Sequence, residues 1–375
     1  MSMPQVRIEK RLNQRRWLMV AVPVGSFLVA LVLIAILLVT TGHPPVSTFR
    51  RLFDAGYLAD GALTSTLIAA TPLAFTGLAA AAAFRMRLFN IGAEGQLYFG
   101  AIGAAGIALF LHGQSTVVLI AAMIAAGAAL GAAWGAIPGL LRAFLNTNEI
   151  ITSLMLNYVA ALFLNYLIFD SLSYWRDTSP AARVFPQGKV LPDAATWPVS
   201  TLGSIGIPFG FLLAAAVAVG IWFLYTRTRF GFEAQVIGDS PRAARYAGMR
   251  TRRKIVAIMA LSGGVAGVGG ASQIGDFRHV LDVKGMEQAS YGYAGIVVAA
   301  LARYNPFAVV LVAVLLGGLQ NAGYALQGAD FPSGLVGVMQ GLILFAMLGG
   351  ELLVQYRVTL SRRVPLASLE AEAAG

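Results

Sequence analysis

Asn90-Ile91-Gly92-Ala93-Glu94-Gly95-Gln96 is the stretch from which the rest of this chain is read. It lies between two long apolar runs, and Glu94 is the one carboxylate in any run long enough to cross a membrane. A carboxylate in hydrocarbon is costly, so such residues line a path or a polar cavity. Gly92 and Gly95 flank it where a plain membrane helix carries Leu or Ala. The stretch predicts a broken or close-packed helix start inside a membrane protein, and a transport function.

Composition agrees. The 375 residues are 58% hydrophobic and 12% charged, with mean hydropathy +0.73. A soluble domain carries about 25% charged residues, and half of that cannot cover a water-facing surface. The run Trp17–Thr41 follows Arg11, Arg15 and Arg16, as a signal peptide would. It exceeds the apolar core of about 7–15 residues such peptides have, and no A-x-A site closes it. It is expected to remain as a first helix. Zero cysteines exclude disulfides, thiolate catalysis and cysteine metal sites. The net charge of +10 would suit nucleic acid, but the basic residues flank membrane runs, so no nucleic-acid partner is expected.

A helical span needs about 20 apolar residues. Ten candidates follow: Trp17–Thr41, Gly61–Phe84, Ile91–His112, Thr116–Leu141, Ile150–Phe169, Pro208–Tyr225, Ile255–Ile274, Ser290–Ala302, Pro306–Leu326 and Pro332–Gly350. The eighth is short for a full crossing, and charge decides it. Lys and Arg concentrate on the cytoplasmic side. With ten spans and both termini inside, the inner segments 1–16, 85–90, 142–149, 226–254, 303–305 and 351–375 hold 20 of the 27 basic residues. Nine spans would put Arg303, Arg357, Arg362 and Arg363 outside. The predicted fold class is an all-α polytopic membrane protein. A tail over 1–16, a transmembrane domain over 17–350 and a tail over 351–375 divide it. The outer loop 170–207 carries Pro180, Pro186, Pro192 and Pro198, so it is a poor continuous helix. It caps the outer mouth, meets an external partner, or simply connects.

A second interruption, Gln288-Ala289-Ser290-Tyr291-Gly292-Tyr293-Ala294-Gly295, opens the short eighth span. Matching interrupted segments in two halves point to a transport site between structural repeats. Spans two to five and seven to ten are then the repeats, inverted because an odd number of spans separates them. The opening of span five, Glu149 to Tyr158, places Asn157 about 10 Å deep at 1.5 Å per residue, with Asn165 two turns further on. These asparagines either contact substrate or bond helix to helix.

The inner loop 226–254 holds eight basic residues. Asp239 or Ser240 suits an N-cap and Pro241 the first turn of a short helix, Arg242 to Tyr246, that ends at Gly248. Such a helix is a lever for a cytoplasmic partner. No Gly-x-x-x-x-Gly-Lys-Ser/Thr is present; the Gly188-Lys189 pair is followed by Val190. His43, His112 and His279 fall at outer boundaries and offer no intramembrane relay. Asp170 and Asp330 sit at the outer ends of spans.

Four motifs then occur in order. They are Phe89 to Gln96; Asn148-Glu149-Ile150-Ile151 with Met155-Leu156-Asn157-Tyr158; Pro241-Arg242-Ala243-Ala244-Arg245-Tyr246-Ala247-Gly248; and Ala300-Leu301-Ala302-Arg303-Tyr304-Asn305-Pro306. Together, over about residues 60–350, they resemble the permease subunits of bacterial nucleoside ABC importers, within the branched-chain amino acid and simple-sugar permease family. Ribose-type relatives carry Gly-Ile-Asp-Leu-Ser-Val-Gly at the first motif, and the different residues here favour the nucleoside branch. The resemblance implies a multi-pass subunit of the bacterial cytoplasmic membrane, with no ATPase site and no cofactor of its own. ATP and Mg are implied on a cytoplasmic ATPase. A second permease in a heterodimer, an external substrate-binding lipoprotein and a nucleoside substrate are implied as well. Gly238, Asp239, Ser240, Pro241, Arg242, Ala243, Ala244, Arg245, Tyr246 and Gly248 match the family's coupling helix. Asn90, Glu94 and Gln96 match the segment near its path, and Asn157, Tyr158, Ser290 and Tyr291 are expected to add polar groups to it. Whether Glu94 touches substrate or pins helices stays open at this stage. The rivals are a sugar or amino acid permease, a stand-alone secondary transporter, and a membrane scaffold.

Overall fold

The computed structural model describes residues 5–10, 18–180, 182, 186–328 and 333–361. The expectations for residues 11–17, Asp330, Arg362 and Arg363, and for most of the C-terminal tail, lie outside these residues. The helices are α1 Leu18–Thr40, α2 Pro45–Phe53, α3 Ala62–Phe84, α4 Ala93–Phe110, α5 Thr116–Leu145, α6 Glu149–Asn165 and α7 Phe209–Arg227. There follow α8 Arg229–Asp239, α9 Pro241–Tyr246, α10 Thr251–Ser272, α11 Val283–Ala289, α12 Tyr291–Leu301, α13 Pro306–Leu326 and α14 Ser333–Gln355. Strands are β1 Gln5–Lys10, β2 Val199–Leu202, β3 Ile205–Pro208 and β4 Tyr356–Ser361. π-helical turns continue α6 to Asp170 and α10 to Arg278.

The chain forms two compact units, residues 47–336 and residues 1–46 with 337–375. In the second, β1 and β4 pair antiparallel with Gln5 opposite Ser361. Both strands lie within segments expected to be plain tails. Gly350 of α14 lies against Ser26 of α1.

In the larger unit α3 and α10 form the centre. Most of the apolar window of each is buried, 83% and 72%, whereas α5, α6 and α7 keep open faces. Lipid gives little hydrophobic drive for helices to associate, so close backbone approach through small residues must hold them. Gly127, Gly131, Gly135 and Gly139 make one small stripe on α5, and Gly263 and Gly267 make another on α10. A Cβ at Gly135 would stand 2.6 Å from the Met259 carbonyl, and one at Gly131 would overlap the Gly263 carbonyl. The Ala-rich end of α3, Ala79–Ala83, is wholly buried for the same reason.

Among the described residues, six helices are long and apolar enough to cross a membrane. They are α3, α5, α6 with its π-turn, α7, α10 with its π-turn, and α13; Val24–Thr40 with Pro45–Leu58 makes a seventh if taken as one broken span. Four of the ten predicted spans, the first, third, eighth and tenth, are not among these six. The 18 residues of α4 begin with Glu94 and Gln96 in the first turn, which lowers their hydropathy. The eighth predicted span, Ser290–Ala302, is the short helix α12, set off from α11 by a break at Ser290 with φ +49°. At 1.5 Å per residue α12 alone reaches about 16 Å, half of a hydrocarbon core of about 30 Å. The π-turn also carries α10 past the predicted end at Ile274. Asp276 and Arg278 therefore belong to a membrane-length helix, and Glu94 is not its sole kind.

The loop over 170–207 is folded, not a bare connector. Trp175 Nε1 donates to the Ile102 carbonyl of α4 at 3.0 Å, and Trp197 N donates to the Gly275 carbonyl at 3.0 Å. The β2–β3 hairpin follows, and Gly206 N donates to Thr64 Oγ1 of α3 at 2.8 Å.

Candidate functional site

The Asn90–Gln96 segment has no regular structure until Gly92, so its backbone and amide groups must find partners elsewhere. They form a closed node. Asn90 Nδ2 donates to Gln96 Oε1 and to Ser262 Oγ of α10, both at 2.8 Å, while Gln96 Nε2 and Gly92 N donate back to Asn90 Oδ1 at 3.0 Å. Ser262 Oγ passes its own proton to the Ala79 carbonyl of α3 at 2.7 Å. From α6, Asn157 Oδ1 accepts from Gly95 N at 2.9 Å and its Nδ2 donates to the Ile91 carbonyl at 2.9 Å and to the Tyr293 hydroxyl at 3.2 Å. Ile91 N donates to Ser153 Oγ at 3.2 Å. Asn90, Gln96 and Asn157 are buried, and each amide is engaged on both sides.

Glu94 joins the two interrupted segments. It is 3% exposed. Tyr98, one turn on, donates its hydroxyl to Oε1 at 2.7 Å, and Gly292 N in the first turn of α12 donates to Oε2. The carboxylate thus sits in the first turn of its own helix and against the first turn of a second. Both helix N-termini present unpaired N–H groups and positive partial charge, so one carboxylate between them is favoured on electrostatic grounds. A Cβ at Gly292 would overlap the Glu94 backbone, which is why a glycine stands there. On the other side of the same turn, Thr76 Oγ1 of α3 donates to the Tyr291 carbonyl at 2.9 Å.

The sequence brought Asn90, Glu94, Gln96 and Asn157 forward, and the structure gathers them. Tyr291 is buried beside the node, and Ser290 occupies the break before α12 with its Oγ donating to the Glu287 carbonyl at 3.1 Å. Tyr158 is 60% exposed, about 100° around α6 from Asn157. Asn165 is also separate, donating to Glu287 of α11 at 2.5 Å. Tyr98, Ser153, Ser262 and Tyr293 complete the node without having been singled out. Tyr98 had a signal, the i, i+4 spacing from Glu94; Ser262 had none within its Gly-rich helix.

The loop over 226–254 folds as two helices, α8 and α9, where one was expected. Ser240 is the N-cap of α9, its Oγ accepting from Ala243 N at 3.3 Å, and Pro241 occupies the first turn. Gly248, with φ +76°, follows the helix end. Of α9 and its flanks, Ala244 is buried and Pro241, Arg242, Ala243, Arg245 and Tyr246 are exposed, Tyr246 to 95%. The pair α8–α9 is tied to the body at two points. Arg87 Nη2 meets Asp239 Oδ1 at 2.7 Å, and Gly238 packs on the Met86 backbone. Lys254 Nζ meets Glu233 Oε2 at 2.7 Å, and this hydrogen bond holds the Glu233 carboxyl below its ordinary pKa. Met86 and Arg87 open the connection that leads straight into Asn90, so the exposed inner helix and the buried node share one short stretch of backbone.

Comparison with known proteins follows the same pattern. Residues 62–348 match the family described as the permease component of the branched-chain amino acid transport system. The chain is 32% identical to the glucose ABC transporter permease protein TsgB13 of Haloferax volcanii, covering 94% of each. It is 32% identical to the guanosine ABC transporter permease protein NupP of Bacillus subtilis, covering 86% of this chain and 91% of that one. To the nucleoside ABC transporter permease protein NupB of Lactococcus lactis subsp. cremoris it is 29% identical, covering 87% and 90%.

Proposed function

This chain belongs to the permease-component family of branched-chain amino acid transport systems, and we propose that it is the membrane subunit of an importer that moves nucleosides, driven by ATP hydrolysis on a separate chain. As an ABC permease it is a multi-pass transport component rather than the ATPase, and its family associates with an ATPase and a substrate-binding protein. The finer reading adds a second, related permease as heterodimer partner, ATP and Mg on the ATPase, and an external binding lipoprotein. The setting is the bacterial cytoplasmic membrane, with ten spans and both termini inside.

The observation that carries the reading is the line from α9 to the node. An exposed, capped helix of six residues has too little packing to be there for stability. It is joined through Asp239–Arg87 and Gly238–Met86 to the connection that ends in Asn90. A push on α9 from a closing ATPase would reach Asn90, then Glu94, then the start of α12. The helix pairing supports an inverted repeat, in which α3–α6 correspond to α10–α14. Accordingly α10 packs on α4 and α5, and α3 packs on α12 and α13. The correspondence brings the two interrupted helix starts face to face at Glu94, as a path between repeats requires.

The glucose permease relative, similar along the whole chain, supports a second reading, a simple-sugar importer of the same mechanism. Purification of the tagged chain in mild detergent tests the class: an ATPase and a second permease of similar size should accompany it, and the complex in vesicles should take up labelled nucleoside with ATP. Uptake that survives ATP depletion and follows an ion gradient would overturn the reading.

A further inference from the structure

Between α3, the π-helical end of α10, α11, α12 and α13 lies a cavity of about 360 Å³, within the range of about 300–1,000 Å³ found for small-molecule sites. Three rings, Phe277, Tyr291 and Tyr324, and three amides, Gln273, Gln288 and Asn321, line it. Among the described residues of its wall, Arg278 is the one that carries a charge. Amides and a guanidinium at membrane depth face protein or water, not lipid tails. This face is therefore built for a polar occupant.

We propose that this cavity is the substrate site of the chain, and that it takes a neutral molecule combining a flat heterocycle with hydroxyls, the chemistry of a nucleoside. The inference rests on the uptake reading above and gives its substrate a place in the fold. A zwitterionic amino acid needs an unpaired cation and an unpaired anion. The wall has no carboxylate, and the charge of Arg278 is already committed. Its Nη1 pairs with Asp282, its Nε donates to Gln273 Oε1 at 3.3 Å, and its guanidinium faces the Tyr291 hydroxyl. Of the three rings Phe277 and Tyr324 are open, each 48% exposed, and an aromatic face stacks on any base. Asn321 Nδ2 is held by the Ala62 carbonyl and Thr66 Oγ1, and Gln273 Oε1 by Arg278, so the Gln288 amide, Asn321 Oδ1 and Gln273 Nε2 are the groups left for a base edge or a ribose. The wall is also mechanically connected: Tyr291 lines the cavity while the next residue, Gly292, hangs on Glu94. A shift of the node would tilt the Tyr291 ring.

The chain has no cysteine, which permits a direct test. Gln288→Cys and Tyr324→Cys change two exposed lining residues, and Leu172→Cys, in the outer loop and 83% exposed, serves as control. Each variant is assembled with its ATPase, second permease and binding protein, and thiol labelling from outside is read on this chain by electrophoresis. Saturating adenosine or guanosine should slow labelling at positions 288 and 324 at least fivefold and leave position 172 unchanged. Leucine should protect neither. The cavity assignment is overturned if nucleoside leaves both rates unchanged while the wild-type complex imports it. The substrate class is overturned if leucine or glucose protects and nucleosides do not. Uptake by the wild-type complex is measured separately, so a failure of the importer reading appears there, not in the labelling rates.

Discussion

Replacing Glu94 separates a positioning role from a looser one. In Glu94→Ala both donors now held by the carboxylate, the Tyr98 hydroxyl and Gly292 N, lose their acceptor inside a buried junction. An orphaned buried donor costs about 1–3 kcal/mol, so two cost about 2–6 kcal/mol before relief from removing a buried charge. A net loss of about 2 kcal/mol would lower the melting midpoint of a chain this long by roughly 2–3 °C. It would also free the start of α12, where Tyr291 sits. Glu94→Gln is the informative partner. Its Oε1 can accept from Gly292 N while its Nε2 donates to the Tyr98 oxygen, so only charge assistance is lost, about 1 kcal/mol. The expected order in melting temperature and in ATP-driven uptake is wild type, then Glu94→Gln, then Glu94→Ala, with the last down at least tenfold in uptake yet still assembled. Melting curves and vesicle uptake on the same preparations check it. If Glu94→Ala melts and transports like wild type, the junction is not held as described.

The other expectations concern the helix centre and the inner face. Gly131→Leu should prevent folding, because a side chain there overlaps the Gly263 carbonyl; Gly220→Leu, with open space around it, should fold, and recovery of intact complex distinguishes them. Arg87→Ala breaks an exposed ion pair worth about 0–1 kcal/mol, so melting should hold while transport per ATP hydrolysed falls. Gly248→Pro, at φ +76° where proline cannot fit, and Arg245→Glu should likewise uncouple stimulation by the binding protein from uptake. Tyr158→Leu, on the open face of α6, should leave uptake within twofold of wild type.

The sequence made the two interruptions visible because Asn, Glu, Gln and paired Gly stand out in an apolar run. It also showed the cap of α9, whose Ser-Pro start and Gly end are local chemistry. What it hid was long-range. Ser262 is one serine in a glycine-rich helix, and only the crossing of α10 over α3 brings it to Asn90. Arg278 and Asp276 looked like loop residues because the apolar run ends before them, whereas a π-turn continues the helix. The second inner helix, α8, was masked by its glycines and charges. Asn157 and Tyr158 are adjacent in sequence, and only the structure distinguishes the buried Asn157 from the exposed Tyr158.

The central claim is that energy comes from another chain through the inner helix. The direct measurement is uptake of labelled nucleoside by vesicles holding the purified complex, with and without ATP on the side of α9. Uptake that requires ATP there, persists when ion gradients are collapsed, and is lost in Arg245→Glu is the expected result. Uptake driven by an ion gradient without ATP, or unchanged in Arg245→Glu, would contradict it.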